Sequence, residues 1–458
     1  MARRTSLHGF WSSRWAFILA VSGSAVGLGN IWKFPYMAGE NGGGAFVLFY
    51  VLCVFLVGLP VMVSEVLIGR RGRRNPVATM RIVGEEEGSH PQWGLVGVMG
   101  IIAGFLILSF YSVIAGWSLA YVGYSVRGAY AGGDPATVHA IFADLLANWK
   151  LVAFWHTLFM ASTIFVVARG VERGLETAVR FMVPALVVLM LILLGYAVTY
   201  GDFEGAVGFL FSRDFSALTP EGMLVALGQA FFTLSVGMGA IMAYGAYLPE
   251  GTPIGSTSFA VVIADTLIAM LAGLIIFPIV FANNLDPASG PGLIFETLPV
   301  AFGQMKFGLI SGTLFFVLLT FAAWTSAIGL IEPAVAWSVE THGHRRSTAA
   351  LIIGSLVWAV GMLSVLSFNV LADVRPLGGT LFENIDHLSS NILLPLGGLL
   401  ITVFGGWVMC KNSTAEELDP AVGPAYRFWR FLARWVAPAA VLVVLLHAAG
   451  LLDHFGLV

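Results

Sequence analysis

Long apolar stretches dominate this chain, and short polar or glycine- and proline-rich segments separate them. A membrane-spanning α-helix needs about 20 mostly apolar residues, and stretches of that length recur from one end of the chain to the other. They predict about eleven spans, which we number in chain order, at roughly 15–38, 43–69, 93–126, 150–169, 176–200, 222–248, 256–283, 307–339, 347–371, 389–410 and 428–452. The pattern therefore predicts an all-α integral membrane protein.

The amino-acid composition supports this prediction and limits the kinds of molecule that the protein can bind. The 458 residues are 58% hydrophobic and 11% charged, whereas about a quarter of the residues of a soluble chain are charged. The net charge of −3 and the lack of a long basic run exclude nucleic acid as a partner and leave membrane lipid. Cys53 and Cys410 both fall in apolar spans, so we expect no disulfide. Residues 1–458 are expected to form one transmembrane domain.

The distribution of basic residues predicts the orientation. Most of the 23 lysines and arginines fall on one side of the predicted spans, together with the amino terminus. Because cytoplasmic loops are enriched in such residues, the amino terminus is expected in the cytoplasm and Val458 outside, in the cytoplasmic membrane. The proline-rich outer segment 284–306 is too broken to span. It is either a re-entrant or capping loop over the outer mouth, or an ordinary surface loop.

The first and sixth spans are interrupted by glycines. Residues 27–29 and 237–239 each place Gly-x-Gly at mid-membrane, where freed backbone groups are tolerated only if they line a cavity or are buried in protein. Half-helix amino ends suit an anionic group and freed carbonyls suit cations, so a carboxylate-bearing solute with Na⁺ fits both. The alternative is that the glycines only permit close helix packing. The five-span spacing also suggests inverted repeats at about 11–201 and 222–410, with an additional helix at about 428–452.

At these motifs the chain resembles the neurotransmitter:sodium symporter family, especially its bacterial amino-acid transporters. The resemblance is carried by residues 11–14, 23–35, 40–46 and 228–235, with weaker matches at 324–326 and 382–386. It implies a sodium-coupled symporter that imports a hydrophobic, branched or aromatic L-amino acid by alternating access. Transport of another small zwitterion is an alternative, and a cation channel is a more distant one. No enzyme motif is present, so no catalytic residue is expected.

The resemblance also implies the substrate site. Backbone groups of the first span, with the hydroxyl of Tyr111, would bind the substrate carboxylate. Backbone groups of Phe232 and Ser235 would bind its amino group, and apolar side chains would surround the rest. The implied substrate residues are Ala25, Gly27, Leu28, Gly29, Ile107, Tyr111, Phe232, Thr233, Ser235, Met238, Ser326, Gly329 and Leu330.

Two sodium sites follow from the same resemblance. The first would use Ala25, Asn30, Thr233 and Asp265, and the second Gly23, Val26, Ala322, Thr325 and Ser326. All offer the hard oxygen ligands that an alkali cation prefers. Chloride-dependent relatives carry asparagine where this chain has Asp265, so its carboxylate predicts chloride independence. The alternative is a buried, hydrogen-bonded aspartate without a cation.

Two gates are implied at the ends of the pathway. Lys33 and Asp386 resemble the outer ion-pair gate of the family, with lysine in place of arginine and Phe232 as the lid. At the inner end the family's basic position falls at His8, which leaves Arg3 or Arg4 to reach Glu340, braced by Tyr247. Either arginine could instead serve only to set orientation. In the fifth span, the spacing of Gly174 and Pro184 resembles the point where bacterial members unwind this helix.

Overall fold

A computed structural model describes residues 4–212, 214–419 and 421–448. Within these ranges nine helices are long and apolar enough to cross a membrane: Gly44–Gly72, Pro91–Val126, Trp149–Ala168, Val171–Tyr200, Ile254–Ala282, Gly308–His342, Arg346–Ser367, Leu381–Val408 and Pro424–Ala448. A tenth crossing is the bent pair Arg14–Ala25 and Gly29–Glu40. The predicted sixth span consists of Pro220–Thr233 and Ala240–Ala246, each too short to cross alone. The pattern of eleven predicted spans is therefore matched, while the predicted outer end at Val458 lies outside the described residues.

Short helices lie in the connections between spans. We call the side on which the chain begins the inner side. Pro76–Glu86 and Lys411–Leu418 lie there, and Pro135–Ala147, Phe203–Leu210 and Thr297–Gln304 lie on the outer side.

The outer segment 284–306 packs onto the bundle. The indole of Trp32 donates a hydrogen bond to the carbonyl of Pro291 at 3.0 Å. The hydroxyl of Tyr121 donates to the carbonyl of Phe295 at 2.6 Å. Leu293 and Phe295 are fully buried. Of the two interpretations of this segment, the structure supports the capping loop.

The first span breaks after Ala25, where Val26 leaves the helical conformation, and its two halves differ in direction by 51°. In the sixth span, Ser235, Gly237 and Gly239 adopt positive φ angles of 53°, 88° and 75°. Only glycine adopts this region at no steric cost. A Cβ on Gly237 would also lie 2.3 Å from the carbonyl oxygen of Leu394. Both the backbone conformation and the close approach therefore require glycine at this break.

The backbone groups freed by these breaks find partners within the bundle. The N–H groups of Gly237 and Met242 donate to the buried carboxylate of Glu65, at 2.5 and 3.1 Å. The side-chain amide of Gln229 donates to the carbonyl of Gly29 at 2.7 Å. The carbonyl of Ser24 accepts from the hydroxyls of two other serines. Satisfied backbone is the condition under which helices can be interrupted at membrane depth.

A buried ion pair joins the inner ends of the eighth and ninth spans. The guanidinium of Arg346 pairs with the fully buried carboxylate of Glu332, which also accepts from the hydroxyl of Tyr247 at 2.9 Å. Removing one partner of such a pair leaves an uncompensated buried charge. We expect Arg346→Ala to lower the free energy of unfolding by about 3–5 kcal/mol, measured by thermal unfolding of the purified protein.

The exposed neighbour Arg345 provides the control. Arg345→Ala should change stability little, and Glu332→Gln in the Arg346→Ala background should restore part of the loss. Equal effects of Arg346→Ala and Arg345→Ala would show that the buried pair does not stabilise the fold.

Candidate functional site

A cavity lies between the two broken helices. Ten residues line it, and all ten are among the predicted substrate residues: Ala25, Gly27, Gly29, Ile107, Tyr111, Phe232, Ser235, Met238, Ser326 and Leu330. The cavity therefore lies where the sequence predicted the substrate site.

Three predicted substrate residues lie beside the cavity and do not line it. The backbone N–H of Leu28 donates to the hydroxyl of Tyr111 at 3.0 Å. Thr233 points its hydroxyl at Asp265. Gly329 packs against the side chain of Ser24 so closely that a Cβ there would lie 1.9 Å from its Oγ. These three residues therefore contact Tyr111, Asp265 and Ser24 and not the cavity itself.

One end of the cavity is polar and the other is apolar. The polar end combines the hydroxyl of Tyr111, the hydroxyl of Ser326 and the backbone around Gly27. A Cβ on Gly27 would lie 2.3 Å from Ser326 Oγ and 2.5 Å from the hydroxyl oxygen of Tyr111, so only glycine fits there. Ile107, Met238 and Leu330 line the other end. The arrangement can hold a charged or polar group beside an apolar side chain.

The predicted first sodium site is assembled around one carboxylate. The amide nitrogen of Asn30 donates to Asp265 Oδ1 at 2.8 Å, and the hydroxyl of Thr233 donates to Asp265 Oδ2 at 3.0 Å. All three side chains are fully buried. These hydrogen-bond partners are neutral, so none of them would compete with a cation for the carboxylate of Asp265.

The residues of the predicted second sodium site also come together, between the first and eighth spans. The hydroxyl of Thr325 lies 3.0 Å from the carbonyl oxygen of Ala322. The hydroxyl of Ser326 lies 3.2 Å from the carbonyl oxygen of Val26. Gly23 faces this group, since a Cβ on it would lie 3.5 Å from Cβ of Thr325. Hydroxyl and carbonyl oxygens are thus gathered where the first span breaks.

The predicted outer gate lies directly above the cavity. Lys33 Nζ lies 3.9 Å from Asp386 Oδ1 and 4.4 Å from the centre of the Phe232 ring. Asp386 Oδ1 also accepts from the hydroxyl of Ser390 at 2.6 Å. The ion pair is long because a lysine ammonium is a single point charge and lacks the two-armed geometry of a guanidinium. The ring and the ion pair together cover the outer side of the cavity.

The structure corrects the predicted inner gate. Arg4 pairs with Glu86 at 2.7 Å and does not reach Glu340, whose carboxylate instead lies 2.9 Å from Nε2 of His8. Tyr247 donates to Glu332 and not to Glu340. His8 lies four positions nearer to the first span, so the chain brings it to Glu340. Arg4 lies instead beside the helix Pro76–Glu86. Arg3 lies outside the described residues.

Glu340 also accepts hydrogen bonds from Asn75, a contact that the sequence did not indicate. The backbone N–H of Asn75 donates to it at 2.9 Å, and the side-chain amide of Asn75 does so at 2.8 Å. Asn75 also caps the inner helix Pro76–Glu86. The Asn-Pro pair is a recognisable helix start, but nothing in its spacing identifies the distant carboxylate as its partner.

Two broken helices that meet around a cavity define the class of secondary transporters with interrupted spans. A family model described as "Sodium:neurotransmitter symporter family" matches residues 8–133 and 140–453. The chain therefore belongs to the sodium:neurotransmitter symporter family. Membership confirms the predicted family and all-α membrane fold, and it makes the protein a sodium-dependent transporter and not an enzyme.

Individual relatives extend over nearly the whole chain. YhdH of Bacillus subtilis, an uncharacterized sodium-dependent transporter, is 39% identical over 97% of this chain and 98% of its own length. An uncharacterized sodium-dependent transporter of Haemophilus influenzae is 31% identical over 95% of this chain and 96% of its own. The crystal structure of MhsT in complex with L-phenylalanine matches with a TM-score of 0.89 at 42% identity, covering 96% of this chain and 99% of that chain.

Proposed function

We propose that the protein imports a hydrophobic, branched or aromatic L-amino acid across the cytoplasmic membrane, coupled to sodium and independent of chloride. One observation carries this proposal: the cavity between the broken helices has a polar end at Gly27 and Tyr111 and an apolar end at Met238 and Leu330. An amino-acid carboxylate fits the polar end, where backbone N–H groups and a hydroxyl are gathered. A hydrophobic side chain fits the apolar end.

The structural neighbour supports the same class of substrate. MhsT was crystallised with L-phenylalanine, and it shares 42% of its residues with this chain. Met238 adds adaptability at the apolar end, because an unbranched thioether side chain can repack around ligands of different shape. The substrate class therefore includes aromatic and branched side chains.

Two sodium ions fit the oxygen-rich groups beside the cavity. Asp265 with Asn30 and Thr233 would hold the first, next to the substrate carboxylate. Thr325, with carbonyl groups of the first and eighth spans, would hold the second. Asp265 supplies a fixed negative charge, so we propose that no chloride ion is needed to balance the cations.

The transport cycle follows from differential binding. A ligand shifts a conformational equilibrium only by as much as its affinities for the two states differ. Sodium would stabilise the outward-open form, substrate would enter, and Phe232 with the Lys33–Asp386 pair would close above it. Separation of His8 from Glu340 would then open the inner side, towards the cytoplasmic amino terminus.

The proposal predicts saturable uptake of radiolabelled L-phenylalanine or L-leucine into proteoliposomes under an inward sodium gradient. Uptake should fall by at least about tenfold in Asn30→Ala and Thr325→Ala, since each removes a cation ligand. Replacing chloride by gluconate should leave it unchanged, and replacing sodium by choline should abolish it.

The other outcomes identify the rival functions. Sodium current without added amino acid would indicate a channel, and accumulation of a different zwitterion from a substrate panel would indicate another solute. Collapse of uptake in gluconate would contradict chloride independence alone.

A further inference from the structure

Two stripes of side chains run beside each other at the inner end of the eleventh span, Pro424–Ala448. The cationic stripe consists of Arg427, Arg430 and Arg434. The aromatic stripe follows it by one position and consists of Phe428, Phe431 and Trp435. Both sets are spaced at i, i+3 and i+7, which places each set on one face of a helix. Since consecutive residues of a helix lie on adjoining faces, the two stripes are neighbours.

The aromatic stripe is open to the surroundings of the bundle. Each of its three residues is 55–58% exposed. Trp435 packs edge-on against Trp407 at the inner end of the tenth span, with the ring centres 4.8 Å apart. Aromatic side chains are enriched where a membrane meets water, at the level of the lipid headgroups. The aromatic stripe and Trp407 therefore lie where headgroups and the first carbons of acyl chains meet the protein.

Arg434 is fixed at the contact between the tenth and eleventh spans. Its Nε donates to the carbonyl of Gly406 at 2.5 Å, and its guanidinium carbon lies 5.0 Å from the centre of the Trp407 ring. The indole of Trp407 donates in turn to the carbonyl of Arg434 at 3.0 Å. Among the described residues, neither terminal nitrogen of Arg434 has a hydrogen-bond partner. The guanidinium is thus held in place while its two outer donors remain available.

Arg430 adds a second fixed guanidinium one turn away. Its Nη1 donates to the hydroxyl of Thr414 at 2.7 Å and to the hydroxyl of Tyr426 at 2.9 Å. Both partners are neutral, so these bonds orient the guanidinium without balancing its charge. Like charges four residues apart destabilise a helix. An anion bound between Arg430 and Arg434 would relieve that repulsion.

The acidic residues that precede the eleventh span are engaged elsewhere. Glu417 pairs with Arg70 of the second span at 2.7 Å, and Glu416 pairs with Arg71 at 3.4 Å. Both carboxylate oxygens of Asp419 accept hydrogen bonds from backbone N–H groups of its own loop. In the part of the chain that the structure describes, no carboxylate pairs with the cationic stripe. Its charge is therefore left for a partner outside the chain.

We propose that the two stripes bind one anionic phospholipid, with its phosphate on Arg430 and Arg434 and an acyl chain along the aromatic stripe. The planar fork of arginine matches the geometry of a phosphate, and basic pockets between spans on the cytoplasmic side of a membrane hold anionic headgroups. Arg427, which is exposed, adds charge at the rim. None of these residues lines the cavity, so the site is separate from the proposed solute site.

Native mass spectrometry of the purified full chain tests the proposal, with titration of phosphatidylglycerol or of phosphatidylcholine that has the same acyl chains. Wild type should bind phosphatidylglycerol at least about tenfold more tightly. Arg434→Gln should weaken this binding by about tenfold, because it removes hydrogen bonds between charged groups. Arg427→Gln should weaken it by about fivefold, the effect of one basic residue near a lipid surface. Binding of phosphatidylcholine should not change in either variant.

Arg345→Gln is the matched control, since it removes one exposed arginine from another inner connection. Equal binding of the two lipids by wild type would overturn the proposal. So would a loss of affinity in Arg345→Gln as large as in Arg434→Gln, because the arginines would then act only through the overall charge of the inner side. The side chain of Arg427 makes no hydrogen bond or ion pair with the described residues. Arg427→Gln therefore decides the question if Arg434→Gln fails to fold, and unchanged affinity in it would contradict the site.

Discussion

Asp265→Ala is expected to lower the apparent affinity for sodium by about a hundredfold or more. The substitution removes the buried carboxylate of the predicted first sodium site and leaves Asn30 and Thr233 without their acceptor. Removing one side of a buried charge pair costs about 3–5 kcal/mol, and about 1.4 kcal/mol corresponds to a tenfold change in affinity. Sodium titration of L-phenylalanine binding by the purified protein measures the change.

The adjacent Thr266 provides a control in the same helix. Its hydroxyl donates to the carbonyl of Val262 within the helix at 2.8 Å and takes no part in the site. Thr266→Ala should leave sodium affinity nearly unchanged, because the lost hydroxyl bonds only within its own helix. If Asp265→Ala bound sodium as tightly as Thr266→Ala, the aspartate would be a buried hydrogen-bonding residue without a cation.

Gly27→Ala is expected to abolish amino-acid binding while the protein still folds. The added methyl group would lie 2.3 Å from Ser326 Oγ and 2.5 Å from the hydroxyl of Tyr111, within the polar end of the cavity. Relieving this overlap costs about 1–3 kcal/mol and pushes Tyr111 off the N–H of Leu28. We expect binding of L-phenylalanine to weaken by at least about a hundredfold, because the same methyl group also occupies the proposed place of the substrate carboxylate.

Gly195→Ala is the control that separates the effect at Gly27 from a general effect of replacing a glycine by alanine. Gly195 is exposed on the fifth span, and a Cβ there would meet no atom within 4 Å. Gly195→Ala should bind substrate normally and melt at the same or a slightly higher temperature, since alanine favours helix. Normal binding by Gly27→Ala would place the carboxylate elsewhere in the cavity.

Most of the fold could be predicted from hydropathy because the bilayer imposes a strict length on apolar segments. The break in the sixth span was predictable from Gly237 and Gly239, whose positive φ angles no other residue adopts as easily. Six of the ten residues that line the cavity lie in the motifs that carry the family resemblance, and the resemblance as a whole implied the other four, Ile107, Tyr111, Met238 and Leu330. These features depend on local sequence or on a pattern shared by many chains.

The inner contacts could not be predicted in the same way. His8 and Glu340 are separated by 332 positions, and which tail residue reaches the carboxylate depends on the path of an irregular segment. The same is true of Ser12, whose backbone N–H donates to the carboxylate of Glu176, 164 positions away. Neither pair has a spacing that could indicate a contact, so only the folded chain identifies the partners.

Glu65 has a consequence for the way the inner side can open. Its carboxylate holds the backbone of Gly237 and Met242, and a Cβ on Gly69 would lie 2.1 Å from the carbonyl oxygen of Met242. Backbones this close cannot slide past each other without breaking the carboxylate's bonds. We therefore expect the second span and the inner half of the sixth to move together when the inner side opens.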